Sequence, residues 1–501
     1  MSQSLWLSSF AICVLGLLSA CGSGGGGGSQ SAATHFSVTA PSTATPGTAF
    51  SFTVAALDAS NNALTSYSGT VHFTSTDSQA ALPANSVLAN GKGTFSATFE
   101  TAGGQTITAT DTVTLAITGI SNAIQVSSTS PAGTFTPTAG SMEFPRAGHT
   151  ATLLQDGTVL ITGGENATGP LASAEIFNPS SGTFSSTKGS MECARVGHTA
   201  TLLIDGTVLV TGGNDATGAL ATAEIFNPGT GMFTPTTGNV EAARVGHTAT
   251  LLNDGSGRVL IAGGGTSPEV LFGPVSDSGT ASAELYDPKS GQFIPTANNM
   301  SASRIYHTAT LLSSGDVLLG GGTNTGSTLG DLFSPGNNMF SATATGGTTA
   351  LHLAAALLQD GRVLLTGGEL ESSPCGEGGS LVSIRNALLF TSSDGDFSET
   401  GDMSTSRVSH TATLLAGGEV LIAGGAPSNT PCNRGFGTST FASIGSAELF
   451  NPSSGTFAPT GNMTTARAGH SATLLANGTA ILVVGGIDGN GNVLASAELF
   501  Q

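Results

Sequence analysis

From residue 129 onward, hydrophobic and polar positions follow one pattern that returns about every 50 residues. The first copy reads "RAGHTATLLQDGTVLITGG" from residue 146. Copies follow at 195, 244, 304, 407 and 467, and a degenerate one, "LHLAAALLQDGRVLLTGG", begins at 351. Each copy predicts four strands. "HTATLL" alternates like a half-buried strand, an Asp-Gly or equivalent turn makes a hairpin, and "VLITGG" is a continuous apolar run. "SAEIFNP" and "GTF", or their equivalents, complete the unit. Two aromatic positions stand seven residues apart: Phe177 and Phe184, Phe226 and Phe233, Tyr286 and Phe293, Phe333 and Phe340, Phe390 and Phe397, Phe450 and Phe457.

The seventh unit stops at Phe500 without a fourth strand, whereas "GTFTPTAGSM" with Phe135 precedes the first unit. A strand at 133–138 pairing with the last unit would close seven sheets into a ring and leave no bare edge there. Residues 34–128 have a different texture. Short alternating runs such as "AFSFTVAAL" and "GTVHFTST", with turns at "DASNNA" and "NGKG", predict about seven strands of a β-sandwich.

These repeats resemble the kelch-repeat β-propeller, including the central propeller of the galactose oxidase family. The resemblance rests on the Gly pair after each second strand (163/164, 212/213, 263/264, 321/322, 367/368, 424/425 and 485/486) and on the spaced aromatics. Phe stands where that family usually has Trp in the fourth strand. The segment carrying "GTVHFTSTDSQAALP" and "TAGGQTITATDT" resembles a bacterial immunoglobulin-like domain. The expected fold class is therefore all-β: a seven-bladed kelch-type β-propeller over 129–501, preceded by an immunoglobulin-like β-sandwich over 34–128.

Composition fits short strands and tight turns rather than surface helices: 72 Gly and 9 % charged residues, with 39 % apolar residues to build a core. The formal charge of −19 with only 13 Lys plus Arg leaves no basic face for nucleic acid or an anionic membrane surface. The apolar run within residues 1–20 reads as a signal peptide. It ends in "LLSAC", which resembles a bacterial lipobox with Cys21 as the lipidated residue; a plain secretory signal or a membrane anchor is the alternative. A Gly/Ser tether covers 21–33. Export follows, with lipid anchoring to the bacterial envelope or secretion, and any membrane contact is through that anchor alone.

Arg, His and Asp close together in every copy look like catalytic material, but repetition favours a scaffold. Six of the ten Arg occupy one repeat position, and the third strand carries a matching carboxylate: Arg146 with Glu175, Arg195 with Glu224, Arg244 with Glu284, Arg304 with Asp331, Arg407 with Glu448, Arg467 with Glu498. The fifth unit lacks the Arg and has Leu388 for the carboxylate, so both partners vanish together. That pattern implies six structural ion pairs. His149, His198, His247, His307, His410 and His470 are expected to be structural as well, bonding backbone at the strand start.

Function is sought where the repeats differ. Three long second-to-third loops lie in units three, five and six, over 265–281, 369–386 and 426–445. Two contain Cys375 and Cys432 in adjacent units, an expected disulfide in an exported chain. Tyr306, Arg385 and Arg434 depart from the repeat and are the candidate ligand-binding residues. The clustered Asp394, Asp396, Glu399 and Asp402 read as a solvated turn. The copper-radical site that the galactose oxidase resemblance brings up needs two Tyr, one cross-linked to Cys, and two His. Of three Tyr, Tyr67 falls in the sandwich and Tyr286 is a repeat position. No GxSxG, HExxH, CxxC or P-loop motif is present either. The reading at this level is a monomeric, non-enzymatic binding or adhesion module without cofactor or metal, recognising an envelope or extracellular protein or glycan. The alternatives are an envelope enzyme acting on carbohydrate and a passive spacer.

Overall fold

A computed structural model describes residues 32–501 except 45, 48, 102, 127–132, 267–278, 324–329, 344–349, 372–379, 428 and 432–441. The chain divides into two compact units, Met1–Ile124 and Gln125–Gln501. In the first, strands His35–Thr39, Ala49–Leu57 and Lys92–Thr98 form one antiparallel sheet. Ser86–Val87, Thr70–Ser75, Ile107–Asp111 and Thr118–Ile120 form another. Alternation decides which face is covered: Phe52, Val54 and Ala56 point inward from one strand, Val71 and Phe73 from the other sheet. The Phe52 and Phe73 rings meet edge to face at 5.5 Å, joining the two sheets without a disulfide.

The second unit has the all-β architecture of a β-propeller: among the described residues it contains seven four-stranded antiparallel sheets and two smaller ones. The first comprises Thr150–Leu153, Val159–Thr162, Ala174–Asn178 and Thr183–Ser186, in that spatial order. Its second strand is buried at every position, as its unbroken apolar run requires. The Asp-Gly turn is held by the Asp156 carboxylate, which accepts the Thr158 amide at 2.9 Å, with Gly157 at φ 85°. The seven-residue aromatic spacing puts Phe177 directly opposite Phe184 across the outer hairpin, ring centres 4.9 Å apart.

Each sheet buries its apolar face against the next. Val159, Ile161 and Phe177 of the first sheet pack with Leu475, Leu482 and Val484 of the last. The last sheet takes Phe135–Pro137 as its outer strand, with Phe135 opposite Phe500 and the rings 4.9 Å apart. The Gly pairs also stitch neighbouring blades. Gly164 donates its N–H to the Arg195 carbonyl at 2.9 Å, and Gly486 donates to the Arg146 carbonyl at 2.9 Å, from last blade to first. Gly is required at these junctions: a Cβ on Gly485 (φ 65°) would sit 2.4 Å from the Arg146 carbonyl oxygen.

Candidate functional site

The six Arg side chains are buried and each meets a carboxylate of its own blade. The contacts are 2.8 Å for Arg146–Glu175, 2.7 Å for Arg195–Glu224 and Arg244–Glu284, and 2.8 Å for Arg304–Asp331, Arg407–Glu448 and Arg467–Glu498. The other guanidinium arm of Arg146 donates to the Gly163 carbonyl at 2.7 Å, and the second Glu175 oxygen accepts the Glu143 amide at 2.8 Å. Burial pushes the Arg146 guanidinium below its ordinary value, opposed by its bond to Glu175. The pairs thus tie the Gly-Gly turn to the third strand. In the fifth blade, Ala350 and Leu388 replace both members.

The repeated His side chains bond a neighbouring hydroxyl through Nε2, and His149, His198, His247 and His470 also meet the backbone of Arg146, Arg195, Arg244 and Arg467. The Nε2 of His198 lies 3.1 Å from the Thr150 hydroxyl of the preceding blade. The same link joins His247 to Thr199 at 3.0 Å, His307 to Thr248 at 2.9 Å, His470 to Thr411 at 3.2 Å and His149 to Ser471 at 2.9 Å. His410 reaches Thr366 instead, at 2.8 Å, because the fifth blade has Ala354 at the usual hydroxyl position. A hydroxyl one blade away was invisible to sequence because it requires the packing angle between sheets. Desolvation, aided by the nearby Arg charges, pushes His149, His247, His307 and His410 down to about 3, so this belt is neutral.

One residue before each of these positions, the seven blades present Gly148, Gly197, Gly246, Tyr306, His352, Ser409 and Gly469. All seven have positive φ, between 51° and 65°. Successive members are joined by backbone bonds: Gly197 donates to Gly148, Gly246 to Gly197, Tyr306 to Gly246, His352 to Tyr306, Gly469 to Ser409 and Gly148 to Gly469, at 2.8–3.3 Å. Four members are Gly, for which this conformation carries no steric cost. Tyr306, His352 and Ser409 hold it despite a Cβ, and they are consecutive. Non-Gly residues cost energy to hold in this conformation, which makes the place where three gather a candidate site.

These three line a cavity of about 290 Å³ at the mouth of the ring, together with Gly246, His307 and Leu353 among others. The Tyr306 ring stacks on the His352 imidazole with centres 4.1 Å apart and planes 28° from parallel. His352 Nδ1 lies 3.0 Å from Glu369 Oε1, and both side chains are largely buried. Glu369 immediately follows the Gly367–Gly368 pair, whose turn brings it beside the His352 segment through the bridge from Leu351 to Glu369. A carboxylate at that distance favours the tautomer in which Nδ1–H donates to it, and Nε2 then carries the free lone pair.

Of the sequence candidates, only Tyr306 lies in this cavity. Arg385 is exposed and pairs with Asp402 at 3.2 Å. Arg434, Cys375, Cys432 and Cys21 lie outside the described residues. His352, Glu369 and Ser409 escaped the sequence reading, which set repeat positions aside as scaffold. The available signal was the fifth unit, where "LHLAAALL" shifts its His by one place relative to "HTATLL".

No family model and no curated protein matches the chain. Among solved structures, the fold is similar to a fungal alcohol oxidase described as having catalytic diversity among the AA5 family, in complex with copper. The TM-score is 0.56 at 17 % identity, over 74 % of this chain and 76 % of the other. At that identity the likeness establishes the all-β propeller fold. It also corrects the non-enzymatic adhesion reading: the propeller that this one resembles carries an oxidase, not a binding module. Two of the cavity's imidazoles already have partners that a bound copper ion would have to displace. His307 Nε2 is held by Thr248 and His352 Nδ1 by Glu369. Among the described residues, no three His, Cys, Asp or Glu side chains gather as a metal site.

Proposed function

We propose that this protein is an exported envelope enzyme acting on carbohydrate, with its active site in the cavity at the ring mouth. The observation that carries the reading is the Glu369–His352 pair, stacked under Tyr306 and held in a strained backbone conformation. The oriented imidazole acts as general base through Nε2, taking a proton from a substrate hydroxyl or from water, and returns it as general acid. The flat Tyr306–His352 stack suits the apolar face of a sugar ring. The cavity lining includes no Arg or Lys, and its belt histidines are neutral, which suits an uncharged polyol better than an anion.

In this reading the seven sheets are kelch-type blades closed by the strand from Phe135, the N-terminal unit is an immunoglobulin-like spacer, Cys21 is the lipid anchor, and Cys375 and Cys432 form a disulfide. The test is turnover of a panel of neutral and acylated oligosaccharides by the full chain. His352→Ala is expected to lose activity by about 10²–10⁴-fold, and Glu369→Gln to lose most of it while keeping KM. Equal activity in His352→Ala, or no turnover by the parent chain on any substrate, would overturn the proposal.

A further inference from the structure

The backbone ring is broken at one place. Six of its seven links are made, and the missing one is from the Ser409 N–H to the His352 carbonyl. The break lies between His352, the base proposed above, and a serine at φ 53°. Ser409 shares the cavity lining with His352, is half-buried, and its hydroxyl has no hydrogen-bond partner among the described residues. A serine displayed on a strained turn, a His beside it in the ring, and a carboxylate fixing that His are the three parts of a nucleophilic site.

We infer that Ser409 is a nucleophile acting with His352 and Glu369, and that the substrate is an O-acyl ester of a sugar. The inference rests on the general-base role proposed for His352. Ser409 Oγ bonds to the ester carbonyl carbon while its proton passes to His352 Nε2. The tetrahedral adduct then breaks its bond to the sugar oxygen, which leaves with that proton. Water attacks the acyl-serine, gives a proton to His352 and releases the carboxylic acid, and the proton returns to Ser409 Oγ. Water is the only co-reactant. The Ser409 N–H, the one ring amide without a ring partner, is available to the oxyanion that develops on the carbonyl. No hydrogen bond joins Ser409 to His352 in this structure, and catalytic pairs commonly tighten only when substrate binds.

This arrangement differs from an incidental serine in one measurable respect, namely the reactivity of Oγ. The full chain is treated with a fluorophosphonate probe and digested, and the modified peptide is identified by mass. The expected adduct is on Ser409, absent from heat-denatured protein and reduced at least tenfold in His352→Ala. Ser409→Gly restores the residue found at four of the other ring positions, so it is expected to melt no lower than the parent. It should nonetheless lose deacylation of acetylated oligosaccharides by about a thousandfold or more. No adduct at Ser409, or full deacylation by Ser409→Gly, overturns the nucleophile. If Ser409→Gly stays active while His352→Ala is dead, the general-base reading survives and this one falls. If both variants keep full activity, both fall.

Discussion

Replacing the carboxylate of one buried pair should damage the propeller far more than replacing the pair, and the sixth blade allows a clean measurement. Arg407 is fully buried and spreads its charge over the Gly424 carbonyl at 2.8 Å, the Ser446 carbonyl at 2.8 Å, the Ser446 hydroxyl at 3.0 Å and Glu448 Oε1 at 2.8 Å. Only Glu448 supplies opposite charge. Glu448→Leu leaves a guanidinium with no counterion in a site closed to water, a change that costs about 3–5 kcal/mol. It also leaves the Ser404 amide, now bonded to Glu448 Oε2 at 2.8 Å, without an acceptor, for about another 1 kcal/mol. Arg407→Met alone strands the carboxylate and should cost a similar amount. The double variant Arg407→Met/Glu448→Leu removes both charges and should recover most of the loss, because the fifth blade already does without both. The coupling between the two sites is therefore expected at about 2–4 kcal/mol, favouring the pair over either single variant. Urea unfolding followed by tryptophan-independent circular dichroism would give the four free energies, since the only Trp lies near the N-terminus. A coupling below about 0.5 kcal/mol, the usual limit for independent sites, would refute the charge argument and leave the Arg as mere packing.

The belt histidines make the propeller acid-sensitive. Their folded values, about 3 for His149, His247, His307 and His410, lie below the unfolded value near 6.5. The unfolded chain therefore binds more protons between those limits. Stability is full above about pH 6.5 and falls toward pH 3, by about 2 kcal/mol per histidine at pH 5. Equal urea midpoints at pH 7.5 and pH 5 would contradict this. Phe135→Ala removes a buried ring from the strand that completes the last blade and should cost about 3–5 kcal/mol; a loss under 1 kcal/mol would mean that this edge does not need its partner. Gly485→Ala places a Cβ 2.4 Å from the Arg146 carbonyl at a φ of 65°. It should lower the melting temperature clearly, whereas alanine at the exposed Gly336, where a Cβ meets nothing within 4 Å, should not; equal effects would sink the argument for the Gly pair.

The all-β propeller was legible in the chain because its signals are local and repeated. The buried second strands write unbroken apolar runs, the turns write Asp-Gly, and the aromatic pair writes a fixed spacing set by one hairpin. The same repetition hid the candidate site. Treating every repeated position as scaffold explained Arg146 and its equivalents, but it set aside the place just before each His, where four Gly and one Ser looked like turn chemistry. Tyr306 stood out there as the wrong residue type; His352 and Ser409 did not.

The amino-acid order by itself determined the strands, the hairpins and the columns of Arg, His and carboxylate, since each depends on neighbours within one unit. Tertiary structure decided which units touch, and with it the rest. The His198 bond to Thr150 crosses two blades, and the His352–Glu369 pair depends on a turn folding back. The gathering of Tyr306, His352 and Ser409 arises only when residues about 50 apart are brought round one axis. No local pattern encodes that distance, because it is fixed by how sheets twist and pack against each other.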